Sequence, residues 1–184
     1  MSASANLQNH FLVASPYLED PRFHGALIYL CEHSSEGALG LVINRPMDLT
    51  LGDILEQMDL DGAERNDMVF HGGPVQQERG FVLHGSGHRW QHTAEVSADV
   101  SLTTSRDILV DLGEGEGPEH YLLALGYSGW GEGQLEDELG GDAWLTCPAE
   151  ASILFHTRWQ DRYNAALKLI GIDLNQLTGG AGHA

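Results

Sequence analysis

Apolar residues along the chain fall in short runs separated by breaks rich in glycine, proline or charge. Runs with β-branched content predict strands over residues 10–15, 26–31, 39–44, 68–71, 81–84, 120–125 and 143–146. Two of them, Ala26-Leu27-Ile28-Tyr29-Leu30 and Leu39-Gly40-Leu41-Val42-Ile43, are apolar at successive positions and so are expected to be covered on both faces. Helical spacing is found at three places. Thr50-Leu51-Gly52-Asp53 supplies cap groups ahead of Ile54, Leu55 and Met58. Thr104 and Asp107 repeat the arrangement before Ile108-Leu109, with Gly113 placed to end that helix left-handed. Over 158–170, Trp159, Tyr163, Ala166, Leu167 and Ile170 share one face, and Gly171 closes the helix. Strands interleaved with few helices predict an α/β or α+β protein with a mixed sheet. Residues 1–8 and 178–184 lack periodicity and are expected to be flexible ends of a single domain over 9–177, with no repeat or linker inside it.

With 42% hydrophobic and 20% charged residues spread along 184 positions, the chain has enough apolar surface to fold around one core. No run approaches the ~20 apolar residues that cross a bilayer, and the N-terminal stretch lacks the features of an export signal. Cys31 and Cys147 are too few for a disulfide scaffold, so a cytoplasmic protein with reduced thiols is expected. Charge narrows the partners further. Nine basic residues face 27 acidic ones, a net charge of −18, and no basic residue lies between Arg106 and Arg158. Phosphate backbones are held by Lys and Arg that displace counterions, so direct nucleic-acid binding is excluded as an expectation.

Three constellations could carry chemistry. In the first, Glu32-His33 and Asn44-Arg45-Pro46 flank two strands joined by a turn at Gly37, with Pro46 ending the second; such polar strand ends either converge on a site or are simply solvated. In the second, Gly72-Gly73-Pro74-Val75 precedes Arg79-Gly80-Phe81. The glycines serve a sharp turn or a close approach to a ligand, and Arg45 with Arg79 are the scarce cations suited to a small anion. In the third, Gly126-Tyr127-Ser128-Gly129-Trp130 mimics a nucleophile elbow, but Trp130 is too large for its tight corner, leaving a glycine-rich loop with an aromatic anchor. Glu136 and Glu138 beyond it are either an acid–base pair or a solvated acidic face. His84, His88 and His92 have metal-ligand spacing only on a helix that Gly85 and Gly87 oppose, so no metal is expected. Cys31 reads as plain core. Pro148 and Glu150 suit the first turn of a helix, which would place Cys147 at its N-cap, either as a buried inert thiol or as a modestly reactive one.

Taken in order, these blocks resemble the YqgE/AlgH family. The matching pieces run from His10-Phe11-Leu12-Val13-Ala14-Ser15-Pro16 through Glu32-His33, Asn44-Arg45-Pro46, Gly72-Gly73-Pro74-Val75 and Arg79-Gly80-Phe81-Val82-Leu83-His84. They continue with Leu102-Thr103-Thr104-Ser105, Leu125-Gly126-Tyr127-Ser128-Gly129-Trp130, Gly133-Gln134-Leu135-Glu136 and Trp144-Leu145, and the tail from Leu177-Thr178 to Ala181-Gly182-His183-Ala184 is similar to the AlgH side. The resemblance implies a mixed sheet curled into a partly open barrel with flanking helices. It implies a regulatory association but transfers no cofactor, ligand or reaction.

The expectation is therefore a cytosolic regulatory or interaction protein acting through a protein partner or small ligand, with no cofactor and no membrane. Its candidate site is Glu32, His33, Asn44, Arg45, Gly72, Gly73, Arg79, Tyr127 and Trp130. The alternative is an enzyme built on Glu32, His33, Asn44, Arg45 and Arg79, which requires those groups to converge on one pocket. With so few cations, the purified protein should give no salt-sensitive mobility shift with duplex DNA at physiological ionic strength; a submicromolar shift that weakens steeply with salt would contradict this.

Overall fold

The computed structural model describes residues 6–18, 20–21 and 23–173, so the expected terminal tails, including the matching block at 177–184, lie largely outside the described residues. All seven predicted strands are present: β1 (His10–Ala14), β2 (Leu27–Ser34), β3 (Gly37–Val42), β5 (Met68–His71), β6 (Val75–Gly85), β9 (Tyr121–Trp130) and β10 (Trp144–Pro148). Three shorter ones join them, β4 (Pro46–Thr50), β7 (Thr93–Glu95) and β8 (Val100–Thr103). Helices α1 (Leu51–Gln57), α2 (Arg106–Gly113) and α5 (Trp159–Ile170) occupy the predicted places, α4 (Ala151–Phe155) begins at Ala151 instead of Pro148, and α3 (Gln134–Gly140) is added.

The sheet runs β10-β1-β2-β3-β9-β6-β8-β7, with β4 and β5 paired beside β9. It is mixed, because β5 runs parallel to β9 while the other pairs are antiparallel. The sheet curls until the turn after β7 reaches the start of β1, where Gln8 Nε2 donates to the Val96 carbonyl at 3.0 Å. The result is a half-barrel. Its inner face packs Phe11, Tyr29, Leu41, Phe81 and Leu102 against α4 and α5. Its outer face is covered in two places, by Leu135 of α3 against Leu12, Ile28 and Leu30, and by α1 and α2 against Val69, Val82 and Leu123. Strand β2 alternates between inner and outer clusters and is buried on both sides, as its apolar run requires.

Local chemistry accounts for most helix boundaries. Thr50 and Asp53 form a full capping box at α1, and Gly171 ends α5 at φ 91°. Two details differ from expectation. The α2 N-cap is Ser105, which donates to Asp107 while Asp107 also accepts from the Gln91 amide, so the carboxylate ties down a loop as well as the helix start. The left-handed residue after α2 is Gly115; Gly113 stays helical, and its lack of a side chain is required by the Asp61 carbonyl oxygen, which a Cβ would meet at 2.0 Å. Pro46 does not end the sheet but opens β4, whose single partner is β5, leaving an edge where a missing N–H is harmless.

Helix α5 is anchored by a buried arginine whose polar contacts are carbonyls. Arg162 donates from Nε to the Thr157 carbonyl at 3.1 Å and from its guanidinium to the Ile43 carbonyl, with its charge 4.9 Å from the centre of the Phe70 ring. Burial lowers its pKa to about 10, so it stays charged at neutral pH. Arg162→Ala should lower the unfolding free energy by ~3 kcal/mol in urea denaturation, since it strands buried carbonyls and opens a cavity, and Arg162→Lys should restore only part of the loss.

Candidate functional site

Two slips of strand register build the mouth of the half-barrel. Along β2, Leu30 pairs with Gly40 but Glu32 pairs with Leu39, so Cys31 is an extra, bulged residue. Strand side chains alternate, and one inserted residue turns everything beyond it to the opposite face. Glu32 thereby points inward beside Leu39, and His33 turns outward toward α3. Along β9, Leu122 and Ala124 face the inner core, and without a slip Tyr127 would face out. Gly126 adopts φ 78° and β6 shifts its register from Gly80 opposite Leu125 to Val75 opposite Tyr127. Tyr127 then packs inward, its ring edge-on to Phe81 at 5.6 Å.

The mouth holds two adjoining clefts. One, of about 680 Å³, is lined by Gln8, Glu32, Glu36, Val75, Tyr127 and Trp130 among others. The other, of about 500 Å³, lies between Glu32 and Leu39 on one wall and Arg79, Phe81, Thr93 and Leu102 on the other. Glu32 and Leu39 belong to both, so the clefts form one groove. Arg79 lies 5.2 Å from the centre of the Phe81 ring, continuing the stack begun by Tyr127. The rim is held by glycines at backbone crossings: a Cβ at Gly37 would meet the Trp130 carbonyl oxygen at 2.3 Å, and one at Gly73 the Tyr127 carbonyl carbon at 2.1 Å.

Of the residues predicted for the site, Glu32, His33, Arg79, Tyr127 and Trp130 line the groove. Asn44 does not: its amide donates to the Gly25 carbonyl at 2.8 Å and accepts from the Leu27 amide at 3.0 Å, stitching the entrance of β2. Arg45 donates to the His24 carbonyl. From Arg45 the backbone leads across His71 and Leu125 to Gly80, three strand spacings or ~15 Å, and Arg45 lines neither cleft, so it does not join Arg79 in the groove. Gly72 and Gly73 serve contact between strands: the Gly72 amide donates to the Leu125 carbonyl at 2.8 Å and its carbonyl accepts from Val42 at 2.9 Å.

His33 is buried, and both its ring nitrogens are engaged. The Leu7 amide donates to Nδ1 at 2.9 Å, which places the ring proton on Nε2, 2.7 Å from Glu136 Oε1. A histidine so held has no free nitrogen to act as a base. The acidic stretch is likewise not a plain solvated face or an acid–base pair. Glu138 Oε1 accepts from the indoles of Trp130 and Trp144, each at 3.3 Å, so both Glu136 and Glu138 latch α3 to the sheet. The convergence of Glu32, His33, Asn44, Arg45 and Arg79 that a reaction would need is not formed.

Sequence reasoning missed Gln8, Glu36, Val75 and the 91–94 segment of the groove. His84, read from the sequence only as one of three histidines with metal-ligand spacing, is fully buried. There Nδ1 donates to the Gly85 carbonyl at 2.8 Å, Nε2 accepts from the Thr103 hydroxyl at 2.7 Å, and Thr93 on the groove wall bonds Thr103 in turn. Burial pushes the His84 pKa down. His88 stacks on Trp90 at 4.2 Å and His92 lies on the groove wall, so these three histidines do not share a helix face. Among the described residues, Asp111, Glu114 and Glu116 stand close enough to share an ion, but Asp111 already accepts from the Trp90 indole at 2.8 Å.

Cys147 is not a helix cap. It lies in β10 opposite Phe11, the following helix begins at Ala151 with Glu150 as N-cap, and Pro148 ends an edge strand. The thiol points at α5, 4.0 Å from the Ala166 carbonyl. Burial, aided by Glu150, pushes it up to about 11. Cys31 is buried as expected, and burial pushes its thiol up as well. No helix among the described residues is long and apolar enough to cross a membrane.

Comparison with known proteins gives one consistent picture. A family profile described as AlgH-like matches residues 11–175. A UPF0301 protein of Thioalkalivibrio sulfidiphilus is 51% identical over the whole of both chains, and one of Hahella chejuensis is 48% identical over 100% of this chain and 99% of its own. The solution structure of the AlgH protein from Pseudomonas aeruginosa superposes with a TM-score of 0.83 at 46% identity, covering 100% of this chain and 99% of that one. A crystal structure from Corynebacterium diphtheriae shares the fold at a TM-score of 0.62 and 18% identity, over 83% of this chain and 81% of that one.

The position of Cys147 sets its reactivity. In a Cys31→Ser variant, alkylation of Cys147 between pH 6 and 9 should be slower than in the unfolded chain, because the folded thiolate is suppressed until about pH 11. The same raised pKa makes the thiol's contribution to stability complete below the ordinary thiol pKa and lost as pH climbs to about 11. Alkylation as fast as in the unfolded chain at pH 7 would contradict the buried geometry.

Proposed function

The chain belongs to the AlgH-like family, and we propose that it is a cytosolic regulatory or interaction protein whose barrel mouth receives a basic segment of a protein partner, without contact with DNA. The observation that carries this reading is the inward turn of Glu32 and Tyr127 by the two register slips. It sets a carboxylate beside an aromatic ring in an open groove, with Glu36 on the rim. A carboxylate pair near an aromatic ring suits a lysine or arginine side chain, through charge and through the face of the ring. Beside it, Arg79 over Phe81 suits an acidic or carbonyl group further along the same segment. The groove is long and open, as a peptide requires, and the net charge of −18 draws cationic partners toward it. Binding is favoured over catalysis because the nearby imidazole has both nitrogens engaged and Asn44 and Arg45 serve the strand entrance.

A photoreactive amino acid at Val75, exposed on the rim of the groove, should crosslink in cells to a partner through a basic stretch identifiable by mass spectrometry. Glu32→Arg should reduce that crosslink at least tenfold, while Asn44→Asp, away from the groove, should leave it unchanged in any folded population. A crosslink indifferent to Glu32→Arg would place the partner elsewhere.

A further inference from the structure

A second cleft lies behind the mouth, on the opposite face of the same strands. Along β6 the side chains alternate: Arg79 and Phe81 enter the groove described above, while Glu78, Gly80 and Val82 face α1 and α2. The exit of β8 divides in the same way, Thr104 reaching both sides and Ser105 only the helix side. Between sheet and helices this leaves a cavity of about 170 Å³ walled by Met58, Ile108, Leu109, Leu123 and Leu125. An apolar cavity of ~150 Å³ admits a molecule the size of benzene, so this one has room for a single branched or aromatic group.

Position 80, on the wall of this cavity, carries no side chain. At most glycines near the sheet crossings a Cβ would strike backbone within 3 Å, but at Gly80 it would meet only Leu123 and Leu125, at 3.7 and 4.0 Å. Gly80 is also not among the glycines with positive φ. Neither sterics nor backbone conformation demands glycine here, although a strand glycine costs about 0.5–1 kcal/mol relative to alanine. Gly80 stands where β6 leaves its register with β9, and without a side chain it also leaves the strand open to close approach from the cavity. The rim is charged with both signs. Glu78 stands on β6 and Arg106 at the start of α2, the latter donating to the Met58 carbonyl only at 3.4 Å. Asp107 beside it turns to Ser105 and Gln91, and Arg106 is the cation among the residues that line this cleft.

We propose that this cleft binds a small zwitterion with an apolar tail, of the chemistry of a free apolar α-amino acid. Its carboxylate lies on Arg106, its ammonium on Glu78, and its side chain over Gly80 between Met58, Leu109 and Leu125. The proposal is independent of the partner assigned to the mouth. It is tested by titrating the ¹⁵N-labelled full chain with L-leucine and with L-phenylalanine to about 10 mM, the range where millimolar binding saturates. Saturable amide shifts at Gly80, Ile108 and Leu125 are expected. Gly80→Val, whose side chain has room in the cavity, should abolish them without lowering the thermal midpoint, and Arg106→Gln should weaken binding at least fivefold. Absence of saturable shifts with either amino acid overturns the proposal, as do shifts that survive Gly80→Val. Toluene binding at the same amides as tightly as phenylalanine overturns the zwitterion assignment.

Discussion

Strand β9 has to satisfy two sets of neighbours. From Leu122 to Leu125 its backbone bonds β5 on one side and β6 on the other, and from Ser128 to Trp130 it bonds β3. A straight strand cannot make that change, and the turn is made at Gly126, left-handed at φ 78°, where a Cβ would lie 2.4 Å from the Gly73 carbonyl oxygen. An L side chain there meets both the cost of left-handed backbone and a direct collision. Everything around the mouth depends on this crossing. It lets β3 close onto the sheet, turns Tyr127 inward, sends Trp130 outward to pack beside α3, and brings the β5–β6 connection down onto the strand.

The scarcity of positive charge is met by using acids as acceptors for neutral donors. Glu138 holds two indoles, Asp111 holds the Trp90 indole, and Asp107 holds a backbone amide and a hydroxyl. Where arginine is used internally, each carries a large share. Arg65 grips Asp67 with two parallel bonds at 2.9 and 3.0 Å, and Tyr121 donates to the same carboxylate at 2.8 Å. The arginine bonds hold the Asp67 carboxyl below the usual carboxylate range, and burial pushes the Tyr121 hydroxyl up. With its pKa lowered, the Asp67 carboxylate supports the fold above the ordinary carboxylate range and loses that support only as pH falls through its lowered pKa.

Much of this was legible from the residue pattern. Strands β1, β2 and β5 announced themselves through uninterrupted apolar runs, and α1 and α5 through their cap residues. Short strands β7 and β8 were not legible, since Val100-Ser101-Leu102-Thr103 takes its pairing from β6 and Thr93-Ala94-Glu95 from β8, and not from their own periodicity. Helix α3 was hidden because Gln134–Gly140 buries little beyond Leu135 and is held by hydrogen bonds from distant residues. The site was half visible for the same reason. Glu32 and Tyr127 could be singled out as polar and aromatic residues at strand ends, but their direction depends on bulges at Cys31 and Gly126 that only cross-strand register discloses. Asn44 and Arg45 were grouped with them by adjacency to strand ends, although the fold uses both to close the entrance of β2.

The order of strands also bears on how the chain is made. Strand β1 lies between β2 and β10, with Phe11 opposite Cys147 on one side and Tyr29 on the other, and the Tyr163 hydroxyl of α5 donates to the Ala14 carbonyl. Strand β1 therefore keeps an open edge until β10, far along the chain, has left the ribosome. At ~5–20 residues per second that interval is on the order of ten seconds, long compared with hairpin formation. A nascent chain of this fold presents Phe11-Leu12-Val13-Ala14 to its surroundings throughout, which makes the apolar edge of β1 the natural point of contact for a chaperone at the tunnel exit and the first place where delayed synthesis would lead to aggregation.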